Sequence, residues 1–294
     1  MRSRVCNGHR WMLQLLTIPL RMHDLTAYLR RIGFEGTPGR DLATLQQMVL
    51  RQALAISFEN LDAFTGRAVS LVPRDVEAKL VGSSRGGWCF EHNLLLGNAL
   101  RAIGFAVTDL AGRVLWGRSA ADRPARTHRL LSVRCTDRDY LLDAGFGVLT
   151  PTAPLDMASR VPQATPHESF RLQDHDGEDL LLEAQLRGQD GDPRWVPLYR
   201  FDLHPQWPID FEAANYQLAH DPASQFVAGL RVAKPVSEGR YNLRDRELTF
   251  WDREGRPHAR RIGGINELRQ SLREIFGIDA SALTALDARF DALP

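Results

Sequence analysis

The stretch Ser83-Ser84-Arg85-Gly86-Gly87-Trp88-Cys89-Phe90-Glu91-His92-Asn93 puts a thiol where sulfur chemistry is favoured. Gly86 and Gly87 end an irregular segment. Leu94, Leu95, Ala99, Leu100 and Ile103 then recur near helical spacing. Cys89 therefore falls at the start of a helix, in the positive end of its dipole, which favours thiolate over thiol. Two glycines before it allow torsions and close approaches that a Cβ resists. A lone cysteine in such a place also serves as a small hydrophobe packing the helix start.

A sulfur that carries an acyl group needs a base to activate it and a group to orient the base. His92 lies three residues beyond Cys89 and shares its helix face. Helical side chains lean toward the N-terminus, however, so its direction is poor. His128 precedes the apolar pair Leu130-Leu131, a setting that also suits a structural histidine. Asp143 sits between Leu141-Leu142 and Ala144, where an acid is buried and must be partnered. If Asp137-Arg138 is a two-residue turn, His128 and Asp143 face one side of the sheet but lie four residues out of register. That is about 13 Å along a strand. A bulge or a curled strand end must close the gap.

Arg85 to Asn93 resembles the signature of the arylamine N-acetyltransferases, Arg-Gly-Gly-aromatic-Cys-Phe-Glu-Gln-Asn. Three further stretches match that family in order: Ala55 to Asp62, Thr127 to Leu131, and Asp143-Ala144-Gly145-Phe146-Gly147. The likeness runs from about Met22 to the C-terminus. Ser57 stands where the family usually has proline, and His92 where it usually has glutamine. The resemblance implies a cysteine-protease-like core with Cys89 as nucleophile, His128 as base and Asp143 as its orienting acid. It implies acetyl-CoA as acyl donor, an arylamine or arylhydrazine as acceptor, a ping-pong mechanism and no metal. It assigns Phe58, Phe146 and Phe226 to the acceptor pocket. Gly145, Gly147 and Ser224 are set near the CoA cleft, and Glu59 with Arg85 forms a buried pair steadying the loop before Cys89. The backbone N–H of Cys89 is a candidate oxyanion donor.

Positioning these residues requires an α+β fold. Asp24 and then Asp41 or Thr44 read as caps of amphipathic helices, so residues 22–105 form a helical bundle that carries Cys89. Short strands separated by Gly- and Asp-rich turns then suggest a small β-barrel over 106–215, carrying His128 and Asp143. Residues 216–294 read as an α/β lid, with strands near Phe226 to Val232, Gly239 to Asn242 and Glu247 to Trp251. A final helix capped by Asn266 runs to Phe276 and is stopped by Gly277. Residues 1–21 carry arginines, no acids and a short apolar run, and read as an over-extended start or a disordered tail.

The net charge of +1 gives no footprint for nucleic acid or an anionic membrane. No run approaches the length of a membrane span. Three cysteines, Cys6, Cys89 and Cys135, suit a reducing cytoplasm better than a disulfide framework. Lys79 and Lys234 are the only lysines, which reads as coding bias. No phosphate-binding glycine loop is present, and Glu91-His92 lacks the paired histidines of a zinc protease. A homodimer is compatible with all of this. The alternatives are an amide synthase of the same fold using a carrier-bound acyl chain, a cysteine hydrolase, and a binding protein with an inert Cys89.

Overall fold

Asp24 and Asp41 start the first two helices as expected. Asp24 accepts from the Ala27 amide at 2.8 Å to open α1 (Leu25–Arg31), and Asp41 accepts from Thr44 at 2.8 Å to open α2 (Leu42–Ala55). The computed structural model describes residues 22–187 and 192–294. The expectations for residues 1–21, and for the turn centred on 188–191, lie outside the described residues. α2 buries Leu45, Met48, Val49, Gln52 and Ala53, one stripe at helical spacing.

A short strand β1 (Phe58–Glu59), α3 (Leu61–Phe64) and α4 (Pro73–Glu77), which continues into a π-helical turn over Ala78–Gly82, lead to α5 (Cys89–Ile103). Every residue of α5 from Cys89 to Leu100 is buried. A helix that is covered on all sides has to be a central one; α1, α2 and α4 lie on it, together with two strands of the following sheet.

That sheet is antiparallel and eight-stranded: β2 (Ala106–Val114), β3 (Arg126–Cys135), β4 (Arg138–Leu142), β5 (Leu155–Asp156), β6 (Gln163–Ala164), β7 (Ser169–His175), β8 (Asp179–Arg187) and β9 (Pro193–Phe201). Its order is β5-β4-β3-β2-β9-β8-β7-β6. The Gln163 side chain accepts from the Asp156 amide at 2.7 Å and donates to the Asp156 carbonyl at 3.1 Å. One side chain thus links the two end strands, and the expected barrel is nearly closed around Leu110, Leu130, Phe170, Leu182 and Leu198.

The β3–β4 turn differs from expectation. Cys135 pairs with Arg138, so the turn residues are Thr136 and Asp137, with Thr136 at φ +54. This register sets Leu131 opposite Leu142, and it leaves His128 and Asp143 two residues out of step rather than four. Thr127 is the extra residue of a β-bulge against β2, directly before His128.

The last third follows α6 (Glu212–His220) and α7 (Gln225–Ala228). It forms a second antiparallel sheet of β10 (Arg231–Val236), β11 (Gly239–Arg244), β12 (Glu247–Asp252) and β13 (Pro257–Arg261), packed on α8 (Ile265–Glu274) and α9 (Leu286–Asp291). β1 completes this sheet by pairing with β10, Phe58 opposite Ala233.

Two sequence expectations shift here. Phe226 is helical, not the start of a strand, because Ser224 caps its amide at 3.2 Å and Asn60 donates to the Phe226 and Gly229 carbonyls at 2.7 Å each. Gly264, not Asn266, precedes α8, and the Glu267 carboxylate takes the Gly263 amide at 2.7 Å. β13 escaped sequence reading because its five residues are all exposed and lack apolar alternation. Among the described residues, no helix is long and apolar enough to cross a membrane.

Candidate active site

Cys89 is the first residue of α5 and is 7% exposed. Its Sγ lies 3.7 Å from the Thr127 carbonyl, the bulged residue of β3. The next residue, His128, is buried, and the sulfur is among the groups that favour its charged form. Its Nε2 bonds Asp143 Oδ2 at 2.6 Å, which leaves Nδ1 for Cys89. Asp143 is fully buried. Its other oxygen accepts from Asn93 Nδ2 and from the Gly145 amide, each at 2.9 Å. The three expected residues therefore meet, although they come from a helix, a bulged strand and the loop after β4.

The protonation states follow from these partners. Burial alone would depress the His128 imidazolium. The Asp143 carboxylate, by charge and hydrogen bond, and the Cys89 sulfur outweigh burial and raise its pKa to about 10. Burial alone would raise the Asp143 carboxyl; His128, Asn93 and the Gly145 amide hold it below its usual value. Tyr199 lies against the His128 ring, with centroids 4.9 Å apart. Its hydroxyl is near Asp143 but makes no well-formed hydrogen bond. Burial first, and then that carboxylate, keep the phenol neutral.

Close approach explains two glycines. A Cβ on Gly145 would stand 2.6 Å from Cys89 Cα, and one on Gly86 would stand 2.0 Å from the Ser57 carbonyl oxygen. Gly147 has φ +82 and faces Phe58. Phe146 meets the His128 ring edge-on at 5.3 Å, while Phe58 and Phe226 pack on each other at 6.2 Å, with Trp88 5.4 Å from Phe226. A cavity of about 10 Å³ lies between Phe58, Ala144, Gly147, Ala233 and Pro235. The Ser224 hydroxyl is turned inward, donating to the Leu218 carbonyl at 2.7 Å. Among the described residues, no group of three or more His, Cys, Asp or Glu is placed to hold a metal ion.

His92 faces away from the chemistry. Its Nε2 is 3.1 Å from the Ser57 carbonyl and its Nδ1 is 3.4 Å from Gln52 Nε2. Burial lowers its pKa to about 4.

The loop before Cys89 rests on buried charges. Arg85 bonds Glu59 at 2.7 Å, as expected, and also Asp62 at 3.2 Å. Lys79 reaches Asp62 at 2.6 Å and Glu91 at 2.7 Å. Glu91 in turn caps the Trp88 amide at 3.1 Å. Burial would lower the Lys79 pKa, but Glu91, Glu59 and Asp62 raise it instead. Burial raises Glu91. Sequence reading missed Lys79, Asp62, Asn93 and Tyr199. Signals existed for two of them: Lys79 is one of two lysines, and Asn93 lies one helical turn beyond Cys89. Lys79→Met would take from Glu91 the cation it pairs with and leave Glu59 and Asp62 sharing Arg85. It is expected to cost about 3 kcal/mol in urea unfolding, as when one partner of a buried ion pair is removed. A loss below about 1 kcal/mol, typical of exposed pairs, would mean that these charges are solvated.

The chain is similar to known proteins over most of its length. The N-acetyltransferase family model matches residues 41–284. The Mycolicibacterium smegmatis arylamine N-acetyltransferase is 42% identical over 270 residues, covering 90% of this chain and 96% of that one. The chain belongs to the arylamine N-acetyltransferase family. These enzymes are acyltransferases, and the α+β arrangement described above is their cysteine-protease-like fold. The Salmonella typhimurium arylamine N-acetyltransferase / N-hydroxyarylamine O-acetyltransferase is 34% identical, covering 92% of this chain and 97% of its own. The structure of the Mycobacterium marinum arylamine N-acetyltransferase in complex with CoA superposes with a TM-score of 0.86 at 36% identity. It covers 92% of this chain and 99% of that one.

Proposed function

We propose that this protein moves an acetyl group from acetyl-CoA to the nitrogen of an arylamine or arylhydrazine, in two steps through an acetyl-cysteine. The observation that carries this reading is the buried line of Cys89, His128 and Asp143, with the imidazole held charged beside the sulfur. The sulfur, as thiolate, attacks the thioester carbonyl. CoA leaves and takes a proton from His128, and the acetyl group stays on Cys89. The amine then attacks the acetyl carbon, His128 takes its proton from the nitrogen, and the thiolate returns. As the first residue of α5, Cys89 has an amide with no acceptor within the helix, which suits it to the tetrahedral oxyanion. Phe58, Phe146 and Phe226 supply flat walls for an aryl ring. Aromatic amines are weak bases and arrive neutral. The relative solved with CoA supports the donor, and the Salmonella relative's name supports N-hydroxyarylamine oxygen as a second acceptor.

Intact-mass measurement tests the first step. Incubation with acetyl-CoA and no amine is expected to add one acetyl group, mapped to Cys89, and an arylamine is expected to remove it as the amide. An unmodified protein that cleaves peptides instead would make this a cysteine hydrolase. Loading only from a carrier-bound acyl chain would make it an amide synthase.

A further inference from the structure

Cys89 is one member of a closed ring of bonds. The chain runs from Gly87 through Trp88 to Cys89, and one helical turn carries it on to His92. The His92 Nε2 meets the Ser57 carbonyl at 3.1 Å, and that same carbonyl accepts from the Gly87 amide at 3.3 Å. The Gly87 carbonyl in turn accepts from Glu59 at 2.8 Å, so Gly87 is held from both sides by the 57–59 segment. Gly145, packed on the Cys89 backbone, also meets the His92 Cβ.

The hydrogen-bond directions fix one form of the imidazole. Tyr28 O–H donates to Gln52 Oε1 at 2.6 Å, so Gln52 presents its NH2 to the His92 carbonyl at 3.0 Å and toward Nδ1 at 3.4 Å. Nδ1 is thus the acceptor, and the proton sits on Nε2, aimed at Ser57. The charges that act on this ring are those of Glu59 and Asp143, which favour its protonation, and Lys79, which opposes it. A second proton on Nδ1 would face the Gln52 NH2. Turning Gln52 over would instead set its oxygen against the His92 carbonyl.

We propose that neutral His92 is a positioning residue for Cys89: its Nε2–H bond to the Ser57 carbonyl closes the ring that fixes where α5 begins and where the sulfur stands. This rests on Cys89 as the nucleophile of the transfer proposed above. Ser57 and His92, which stand where the resembled motifs usually have proline and glutamine, meet here. Ser57 ties the ring further, its hydroxyl donating to the Phe276 carbonyl at 2.5 Å.

The test compares His92→Leu, which removes the donor, with His92→Gln, whose amide nitrogen extends about as far from Cβ. Three readouts are followed: alkylation of Cys89 by iodoacetamide at pH 7, kcat, and KM for acetyl-CoA. Leu is expected to slow alkylation and lower kcat by about tenfold, the effect of a nucleophile slightly out of place. KM for acetyl-CoA should change less than about twofold, since no substrate contact is lost. Gln should restore both rates to within about threefold, because it returns the hydrogen bond. Wild-type alkylation and kcat in the Leu variant, or a Gln variant no better than Leu, would overturn the proposal. The alkylation rate judges His92 even if wild-type protein takes no acetyl group, an outcome that would strike the transfer reaction alone. If the Leu variant does not fold, the wild-type ring spectrum decides. The ¹H–¹⁵N correlations of His92 should show a neutral ring with its proton on Nε2, unchanged from pH 6 to pH 9 within the range set by a pKa of about 4. A proton on Nδ1, or titration in that interval, would refute it.

Discussion

Cys89→Ser is expected to reduce turnover by about 10⁴-fold or more while leaving the fold intact. A hydroxyl holds its proton far more tightly than a thiol, so the proposed ion pair with His128 does not form and the proposed covalent step loses its nucleophile. The site has room for the change. The Sγ is held only loosely, 3.7 Å from the Thr127 carbonyl, and an Oγ can donate to the same oxygen. Thermal unfolding should therefore stay within a few degrees of wild type, and no acetyl adduct should form with acetyl-CoA. Turnover retained above about 1% would show that another group carries the acetyl.

Asp143→Asn is expected to lower kcat by about 10³–10⁴-fold by imposing the wrong tautomer on His128. The orientation of the new amide follows from its neighbours. Asn93 Nδ2 and the Gly145 amide both donate to Oδ1, so the amide oxygen must occupy that place. The NH2 then faces His128 Nε2, which has to become the acceptor. The imidazole proton moves to Nδ1, against the sulfur, and the base is blocked. Stability should change with pH as well. In the wild type the His128 pKa is raised from 6.5 to about 10, so the stability it contributes is full below pH 6.5 and is lost as pH rises from there toward 10. The Asn variant should lose that slope when urea unfolding is followed across the interval. An unchanged slope would mean that the Asp143 carboxylate does not hold the proton on His128.

The residues that meet at the site were more legible in the sequence than the scaffold that brings them together. Cys89, His128 and Asp143 stand in quotable motifs, and the buried acid followed from Leu141, Leu142 and Ala144 around it. Their meeting did not follow, because it depends on a turn one residue earlier than assumed and on a bulge at Thr127. Neither leaves a local signal: Thr136 takes φ +54 with an ordinary β-branched side chain. The first two helices announced themselves by capping aspartates, whereas β13 is exposed throughout and α7 is held in part by Asn60, far away in the chain. The charge network was half visible. Glu59 and Arg85 came with the resemblance, but Lys79 and Asp62 are joined to them only by tertiary folding.

β1 belongs to a sheet whose other strands begin at Arg231. A ribosome therefore releases Cys89, His128 and Asp143 well before the strand that Phe58 and Glu59 pair with exists. Until then Glu59 sits in an unpaired segment, and the Ser57 hydroxyl waits for Phe276. Closure between such distant residues is slow compared with helix formation. The nascent chain thus holds Cys89, His128 and Asp143 in a half-built setting, and the site is complete only once β10 and Phe276 have been made.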